Sequence, residues 1–306
     1  MDLLVNILIG AMIAATPLVF AATGELVAER SGVLNLGVEG MMIVGAIAGF
    51  SAIVATGSIV LALLAAVLAG GLMAALFGVL VLTLRANQVA SGLALTMFGL
   101  GLSALWGQGY SGLSAPAFPH LHVPGLTDLP LIGKLVFGQD LLIYLSLALV
   151  LCVAFLLKRT RVGLIVRAIG ENHDAAHAIG YRIVACRYLA VTFGGAMAGL
   201  GGAYLSLVQT PLWVERMTAG RGWIALALVV FAAWRPWRAL LGAYLFGGIT
   251  VLQLHSQAHG LKVDAQLLAM LPYLATIAVL VLISRDAVRL RLNAPACLGK
   301  PFHGTS

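Results

Sequence analysis

Charge is the first thing this chain lacks. Only 9% of its 306 residues are Asp, Glu, Lys or Arg, against about 25% in an ordinary soluble protein. A water-soluble fold of that length must cover its surface with polar side chains. The shortage therefore excludes a soluble enzyme, a nucleic-acid binder and a disordered chain. Cysteine is scarce too: Cys152, Cys186 and Cys297 lie far apart and form no CxxC pair, which excludes a disulfide framework and a metal knot. No P-loop sequence of the GxxxxGKS or GxxxxGKT type occurs, so this chain does not bind and hydrolyse ATP by that device. HExxH, GxSxG and paired intramembrane histidine motifs are missing, which disfavours a membrane enzyme. So are Arg-rich voltage-sensor helices and a TVGYG-like filter. No internal repeat is visible to support a self-contained inverted-repeat transporter.

What remains is apolar. Residues of the AVILMFWYC set make up 61% of the chain, and 36 glycines suit close helix packing in lipid. A helix needs about 20 residues to cross the hydrocarbon. By that measure nine spans are expected, at 3–22, 40–57, 59–83, 88–107, 140–157, 188–207, 222–234, 239–254 and 266–284. The seventh and eighth are short and parted only by Arg235-Pro-Trp-Arg238, so a tight hairpin or a partly re-entrant pair is an alternative. The expected fold is an all-α polytopic bundle, with one transmembrane domain over 1–290 and a loose tail over 291–306. The first span carries no basic n-region or trusted cleavage site and reads as retained.

The net charge of +7 orients the spans. Lys158, Arg159, Arg161, Arg167, Arg182 and Arg187 crowd the fifth-to-sixth connection, Arg235 and Arg238 the seventh-to-eighth turn. Arg285, Arg289, Arg291 and Lys300 follow the ninth span. Nine alternating crossings put all of these, and Arg85, on one side, which is the cytoplasm by the positive-inside rule. The loop 108–139, with one Lys, then lies outside with the N-terminus. Arg216 and Arg221 fall outside as well, against the trend.

Two segments do not look like inert membrane. Between Gly24 and Gly40, directly between two apolar spans, stand Glu25, Glu29, Arg30, Asn35 and Glu39. An ionisable group at membrane depth costs at least about 2.5 kcal/mol and tends to mark a pathway. Gly32, Gly37 and Gly40 allow a broken or re-entrant backbone, which is tolerated at that depth only where it lines a cavity or is buried in protein. An amphipathic, solvated loop fits the pattern equally well. The second segment is the basic loop 158–187. Within it Gly170-Glu-Asn-His-Asp-Ala-Ala-His-Ala-Ile-Gly180 reads as a short helix, with Asn172 as N-cap, Asp174 at the positive end of the dipole and Gly180 as the C′ residue. Ala175, Ala176 and Ala178 leave a smooth face. A helix this short needs something to pack against, either its own bundle or another protein.

Other features are weaker. His173 and His177 at i, i+4 lack a third ligand, and His120, His122, His255 and His259 read as loop histidines rather than a metal site. Gly195 and Gly199 form a GxxxG packing signal. Trp106, Trp213, Trp223, Trp234 and Trp237 stand near span ends, as interfacial anchors do.

Taken together, the two segments carry a resemblance. Glu29-Arg-Ser-Gly-Val-Leu-Asn-Leu-Gly-Val-Glu-Gly-Met-Met42, after the first span, is similar to the signature of bacterial ABC-importer permeases for nucleosides and simple sugars. These are kin to the ribose and branched-chain amino acid permeases. Arg167-Ala-Ile-Gly-Glu-Asn-His-Asp-Ala-Ala-His-Ala-Ile-Gly180 resembles that family's cytoplasmic coupling loop, and the likeness runs over roughly 5–290. His173 stands where the family more often has Pro or a small residue. Phe231-Ala-Ala-Trp-Arg-Pro-Trp-Arg238 replaces a Gly-rich turn.

The resemblance implies a bacterial inner-membrane permease that performs no chemistry and binds no cofactor, ATP being used by a partner. Its implied partners are a cytoplasmic ATP-binding-cassette ATPase, a second permease subunit (a related, heterologous one) and an external solute-binding protein or lipoprotein, besides membrane lipid. Arg167, Gly170, Asn172, Asp174, Ala175, Ala176 and Gly180 would make the ATPase-coupling helix. Glu29, Arg30, Asn35 and Glu39 would belong to the translocation pathway, with Asn35 facing the solute and Glu29 paired with Arg30. Two alternatives stay open. One is the same machine carrying branched-chain amino acids or free sugars. The other is a stand-alone secondary transporter or channel using the acids as an ion relay.

Overall fold

The computed structural model describes residues 2–119, 121, 133–258, 267, 270, 271, 274, 275, 277, 278 and 293–303. Ten α-helices occur among them: α1 (Asp2–Arg30), α2 (Val38–Thr56), α3 (Ile59–Gly78), α4 (Gln88–Gly107), α5 (Leu141–Arg159), α6 (Arg161–Glu171), α7 (His173–Ala178), α8 (Ile183–Tyr204), α9 (Arg221–Phe231) and α10 (Pro236–Ala258). α3 and α8 each run on into a wider π turn, Val79–Thr83 and Leu205–Gln209. An isolated antiparallel bridge joins Ser114 to Leu212.

Local chemistry explains many of the helix starts. Ser58, Asn87, Asp140, Thr160 and Asn172 each accept a hydrogen bond from a backbone N–H of the first turn they precede, which satisfies donors that the helix itself leaves orphaned. Seven of the described helices are long and apolar enough to cross a membrane: 4–30, 38–56, 59–83, 88–110, 141–159, 183–209 and 236–257. The chain is a multi-pass integral membrane protein. Stripes such as Leu61, Leu64, Leu68 and Leu72 on α3 are exposed at helical spacing, a face that only lipid or another membrane helix can cover.

Three expectations change. The first span does not stop at residue 22: α1 continues without a break to Arg30, and the interruption before α2 is only Ser31–Gly37. The expected span 222–234 is the eleven-residue α9, about 16 Å long at 1.5 Å per residue and too short to cross. It turns tightly into α10, and Ala233 and Trp234 in that turn have φ of 48° and 54°. This is left-handed backbone, which glycine adopts freely and residues with a side chain adopt only under strain. The tail is not loose over 293–303, which pack onto the basic loop. The expected ninth span, 266–284, lies for the most part outside the described residues.

α8 is the centre of the bundle. It packs against α1, α2 and α3, while α9 and α10 pack on α1, and α4 leans on α2. The GxxxG of α8 is the reason it can sit there: a Cβ on Gly199 would collide with the backbone of Ala66 and lie 3.2 Å from Gly70 Cα on α3. α2 is the most completely covered of the candidate spans, so the short link that precedes it is buried too.

Candidate functional site

The link Ser31–Gly37 carries backbone polar groups into the interior, and each needs a partner there. α1 closes with Ser31, Gly32 and Val33 donating to carbonyls of its last turns. Gly32 has φ of 90°, and a Cβ on it would lie 2.8 Å from the guanidinium of Arg187, so no other residue fits without strain. Leu34 N–H donates to Gln88 Oε1 at 2.8 Å, and Thr96 Oγ1 donates to Leu36 O at 3.0 Å. α4 thus holds the link from the side.

The acids and Asn35 sit inside this frame. Asn35 is fully buried. Its N–H donates to Glu25 Oε1 at 3.2 Å, its Nδ2 to Glu25 Oε2 at 3.4 Å, and its Oδ1 accepts from Gly37 N at 2.9 Å. Glu39, at the start of α2, accepts from Thr218 Oγ1 (2.6 Å), Gly220 N (2.8 Å) and Gly222 N (2.6 Å). It therefore serves as the cap of α9 from another helix, a carboxylate at the positive end of a dipole. Glu29 and Arg30 do not pair with each other. Glu29 Oε2 accepts from Trp234 Nε1, while Arg30 donates from Nε (3.3 Å) and Nη2 (3.1 Å) to Trp234 O. Arg30 Nη1 also donates to Asn293 O at 3.1 Å. The two residues grip opposite ends of one tryptophan, and this is what α1 gains by staying helical to Arg30.

Trp234 is accordingly no interfacial anchor, and neither is Trp213: both are buried, whereas Trp106, Trp223 and Trp237 are exposed.

The basic loop forms the second part of the site. α5 turns into α6 at Thr160, and α6 lies against the end of α1, where Gly170 meets Arg30 O too closely for a side chain. Asn172 caps α7 with Oδ1 accepting from Ala175 N at 3.0 Å. Gly180, at φ of 92°, ends the turn, with Tyr181 N–H reaching back to Ala176 O at 3.1 Å. The short helix expected from sequence is thus present, with those two signposts. Its residues divide between two faces. Ala176 is buried against Ile169 and Ile183, while Asp174, Ala175, Ala178, Ile179 and Tyr181 are exposed. Arg167 lies half-buried along α6, its Nε on Gly163 O at 3.4 Å.

Arg187, only 1% exposed, ties this loop to the link and to the tail. Its Nε donates to Ser31 O (3.0 Å), Nη1 to Lys300 O (3.3 Å) and Nη2 to His173 Nδ1 (3.2 Å). The tail adds Cys297 N–H to Gly170 O (2.8 Å), Gly299 N–H to Gly32 O (3.1 Å) and Phe302 edge-on against His173 and His177. Little marks Arg187 in sequence: one more Arg in a basic loop looks solvated, and two of its three partners are 156 and 113 residues away.

An arginine donates only, so His173 Nδ1 must accept and its proton sits on Nε2, 3.6 Å from Asp174 Oδ1. Burial first, then the Arg187 guanidinium, with Lys300 and His303 beyond it, hold His173 below its usual range against the opposing pull of Asp174. The neutral form is favoured by folding, so this contribution is complete above the ordinary histidine value, about 6.5, and is lost as pH falls through the depressed one. Between pH 7.5 and 5 the detergent-solubilised chain should lose thermal stability, and His173→Gln should flatten that dependence. An equal slope in both proteins would show that His173 is not the titrating contact.

Among the described residues no group of three or more His, Cys, Asp or Glu is arranged to hold a metal; His120, His122 and His259 lie outside them. Cys152, Cys186 and Cys297 are free thiols.

Comparison with known proteins follows the same lines. The family described as "Branched-chain amino acid transport system / permease component" matches residues 7–281. A putative glucose ABC transporter permease protein of Haloferax volcanii is 43% identical, covering 95% of this chain and 95% of its own length. A nucleoside ABC transporter permease protein of Lactococcus lactis subsp. cremoris is 33% identical over 90% of this chain and 92% of its own. A guanosine ABC transporter permease protein of Bacillus subtilis is 32% identical over 95% and 94%. No solved structure matches the chain significantly.

Proposed function

We propose, from a chain that belongs to the family of branched-chain amino acid transport system permease components, that its spans form the pathway of an ATP-binding-cassette importer for a nucleoside or simple sugar. Permeases of this family are transport components and not enzymes. The cargo reading is carried by one observation: the end-to-end match with relatives named for glucose, nucleoside and guanosine permeases. It favours that cargo over branched-chain amino acids. A full-length match to ABC permeases also disfavours a stand-alone transporter or channel.

The division of labour follows. A solute-binding lipoprotein delivers cargo at the outer face, a second permease subunit, related but heterologous, completes the pathway, and an ATPase pair drives it from the cytoplasm. ATP is bound by that pair and not by this chain. The basic loop 158–187 and the tail 291–306 face the cytoplasm, 108–139 and the N-terminus face outward, and the membrane is the cell's inner one. Within one transmembrane domain over 1–290, Glu29, Arg30, Asn35 and Glu39 brace the wall beside the pathway. Arg30, Asn35 and Glu39 bond to protein groups, and so does Oε2 of Glu29, whose Oε1 is buried with no partner; these bonds fix the α1–α2 link and the α9 corner beside the solute's path.

Arg167, Gly170, Asn172, Asp174, Ala175, Ala176 and Gly180 make the coupling element. Gly170, Asn172 and Ala176 set its shape, and the exposed Ala175, Ala178 and Ile179 (72% exposed) offer a small apolar face to a groove on the ATPase. Arg187 and the tail latch that element to the link, so movement imposed on α7 reaches α1 and α2 as a rigid displacement. Ala175→Arg with Ile179→Asp should leave the chain inserted in the membrane but cut uptake more than tenfold and abolish co-purification of the ATPase, since buried unpaired charge at an interface costs several kcal/mol. Normal uptake in that variant would remove α7 from the coupling role.

A further inference from the structure

Beside the coupling element, where α1, α5, α6 and the α9–α10 turn meet, lies a cavity of about 310 Å³. Four cations line it: Arg30, Lys158, Arg167 and Arg235, over an apolar floor that includes Leu157 and Trp234. Arg30 is held in place by three hydrogen bonds, all to backbone carbonyls, and Arg167 bonds a carbonyl as well. Lys158 and Arg235 are exposed. Among the described residues none of the four makes an ion pair with a carboxylate. Arg167 and Arg235 are close enough to act repulsively on Arg30, and the acid that acts on it is Glu171 at the end of α6. Four like charges around one small space repel each other, and among the described residues Glu171 is the acid that offsets them at Arg30, so a further negative charge is favoured there.

The depth of the cavity says where that charge comes from. α1 ends at Arg30, α5 ends at Arg159 and α10 begins at Pro236, so the ends of three candidate spans surround it, at the level of one membrane surface. α6 carries Arg161 and Arg167 together with the exposed apolar Val162 and Leu164 (both 58% exposed). That is the composition of a helix lying in the headgroup layer. Trp237, also exposed, follows Pro236 of the cavity lining in sequence. A soluble phosphate compound would find a floor of Leu157 and the indole face unsuited to it. A lipid presents phosphate above glycerol and methylene groups and matches both parts.

We propose that this cavity binds the phosphate headgroup of an anionic phospholipid from the adjoining leaflet, with Arg30 and Arg167 as fixed ligands and Lys158 and Arg235 closing over it. Its location is independent of the cargo.

The test uses the purified full-length chain in neutral detergent, titrated with phosphatidylglycerol, phosphatidylcholine or inorganic phosphate. Native mass spectrometry and thermal unfolding provide the readouts. Phosphatidylglycerol should stay bound and raise the melting temperature, whereas phosphatidylcholine and inorganic phosphate should do neither. Each cation near a membrane surface is worth about fivefold in affinity, so Lys158→Gln with Arg235→Gln should weaken phosphatidylglycerol binding on the order of twentyfold. Both positions are exposed, and the variant's unfolding in phosphatidylcholine should match the parent's. Equal retention of the two lipids, unchanged phosphatidylglycerol binding in the variant, or an equal response to inorganic phosphate would each overturn the assignment.

Discussion

Gly199→Leu should prevent the bundle from assembling. Helices α3 and α8 approach so closely there that even a Cβ would meet the backbone of Ala66, with Gly70 Cα 3.2 Å away. On the opposite side Gly45 of α2 faces the same glycine. Backbone atoms of two neighbouring helices cannot move aside as a side chain can. Overpacking a yielding core costs about 1–3 kcal/mol, and an unyielding one costs more. Gly199→Leu should therefore yield aggregated or degraded protein, with no monodisperse peak after detergent extraction. Gly101 provides the control: it is exposed on α4, and a Cβ added there would meet nothing within 4 Å. Gly101→Leu should extract and migrate normally. If both variants behaved alike, the close α3–α8–α2 packing would be wrong.

Arg187→Met should have the second-largest effect. The methionine keeps much of the aliphatic stem but withdraws donors from Ser31 O, Lys300 O and His173 Nδ1 at once. A buried acceptor left without a partner costs about 1–3 kcal/mol, so the loss should reach about 3 kcal/mol or more. Because the three acceptors belong to the link, the tail and α7, the damage should appear in all three. Hydrogen exchange should quicken across 31–37, 173–180 and 296–303 together, with uptake lost. Arg187→Lys should rescue little, since one ammonium cannot span three acceptors held by a planar fork. Quickened exchange in the tail alone would mean that the latch does not join these segments.

How much of this is legible in the sequence depends on the distance between partners. The α7 helix can be read because Asn172 and Gly180 act on groups three or four residues away. The α8 GxxxG can be read as a packing device, though not the helices it meets. The end of α1 is easily misplaced because Glu25, Glu29 and Arg30 look like an exit from the membrane until their partners are known. Those partners, Asn35 and the two ends of Trp234, hold them where they stand, with only Glu29 Oε1 left without a hydrogen bond among these groups. Glu39 is a similar case: nothing near it in sequence shows that it caps α9, about 180 residues on. The residue types of Trp234 and Arg187 suggest commonplace roles, an anchor and a loop charge. Each is instead a buried connector with partners far along the chain. The tail looks loose because its residues carry no periodic pattern; backbone hydrogen bonds to Gly170 and Gly32 hold it in place, and a sequence does not display those.

The central claim is that this chain passes a nucleoside or simple sugar across the membrane under ATPase drive. The most direct test is uptake of radiolabelled nucleosides and glucose by cells with and without the chain, in the presence of excess leucine and after depletion of ATP. The account predicts that uptake of one of these solutes is lost without the chain, is not competed by leucine, and stops when ATP is depleted while the ion gradient is maintained. Uptake that persists without the chain, yields to leucine, or follows the ion gradient alone would contradict it.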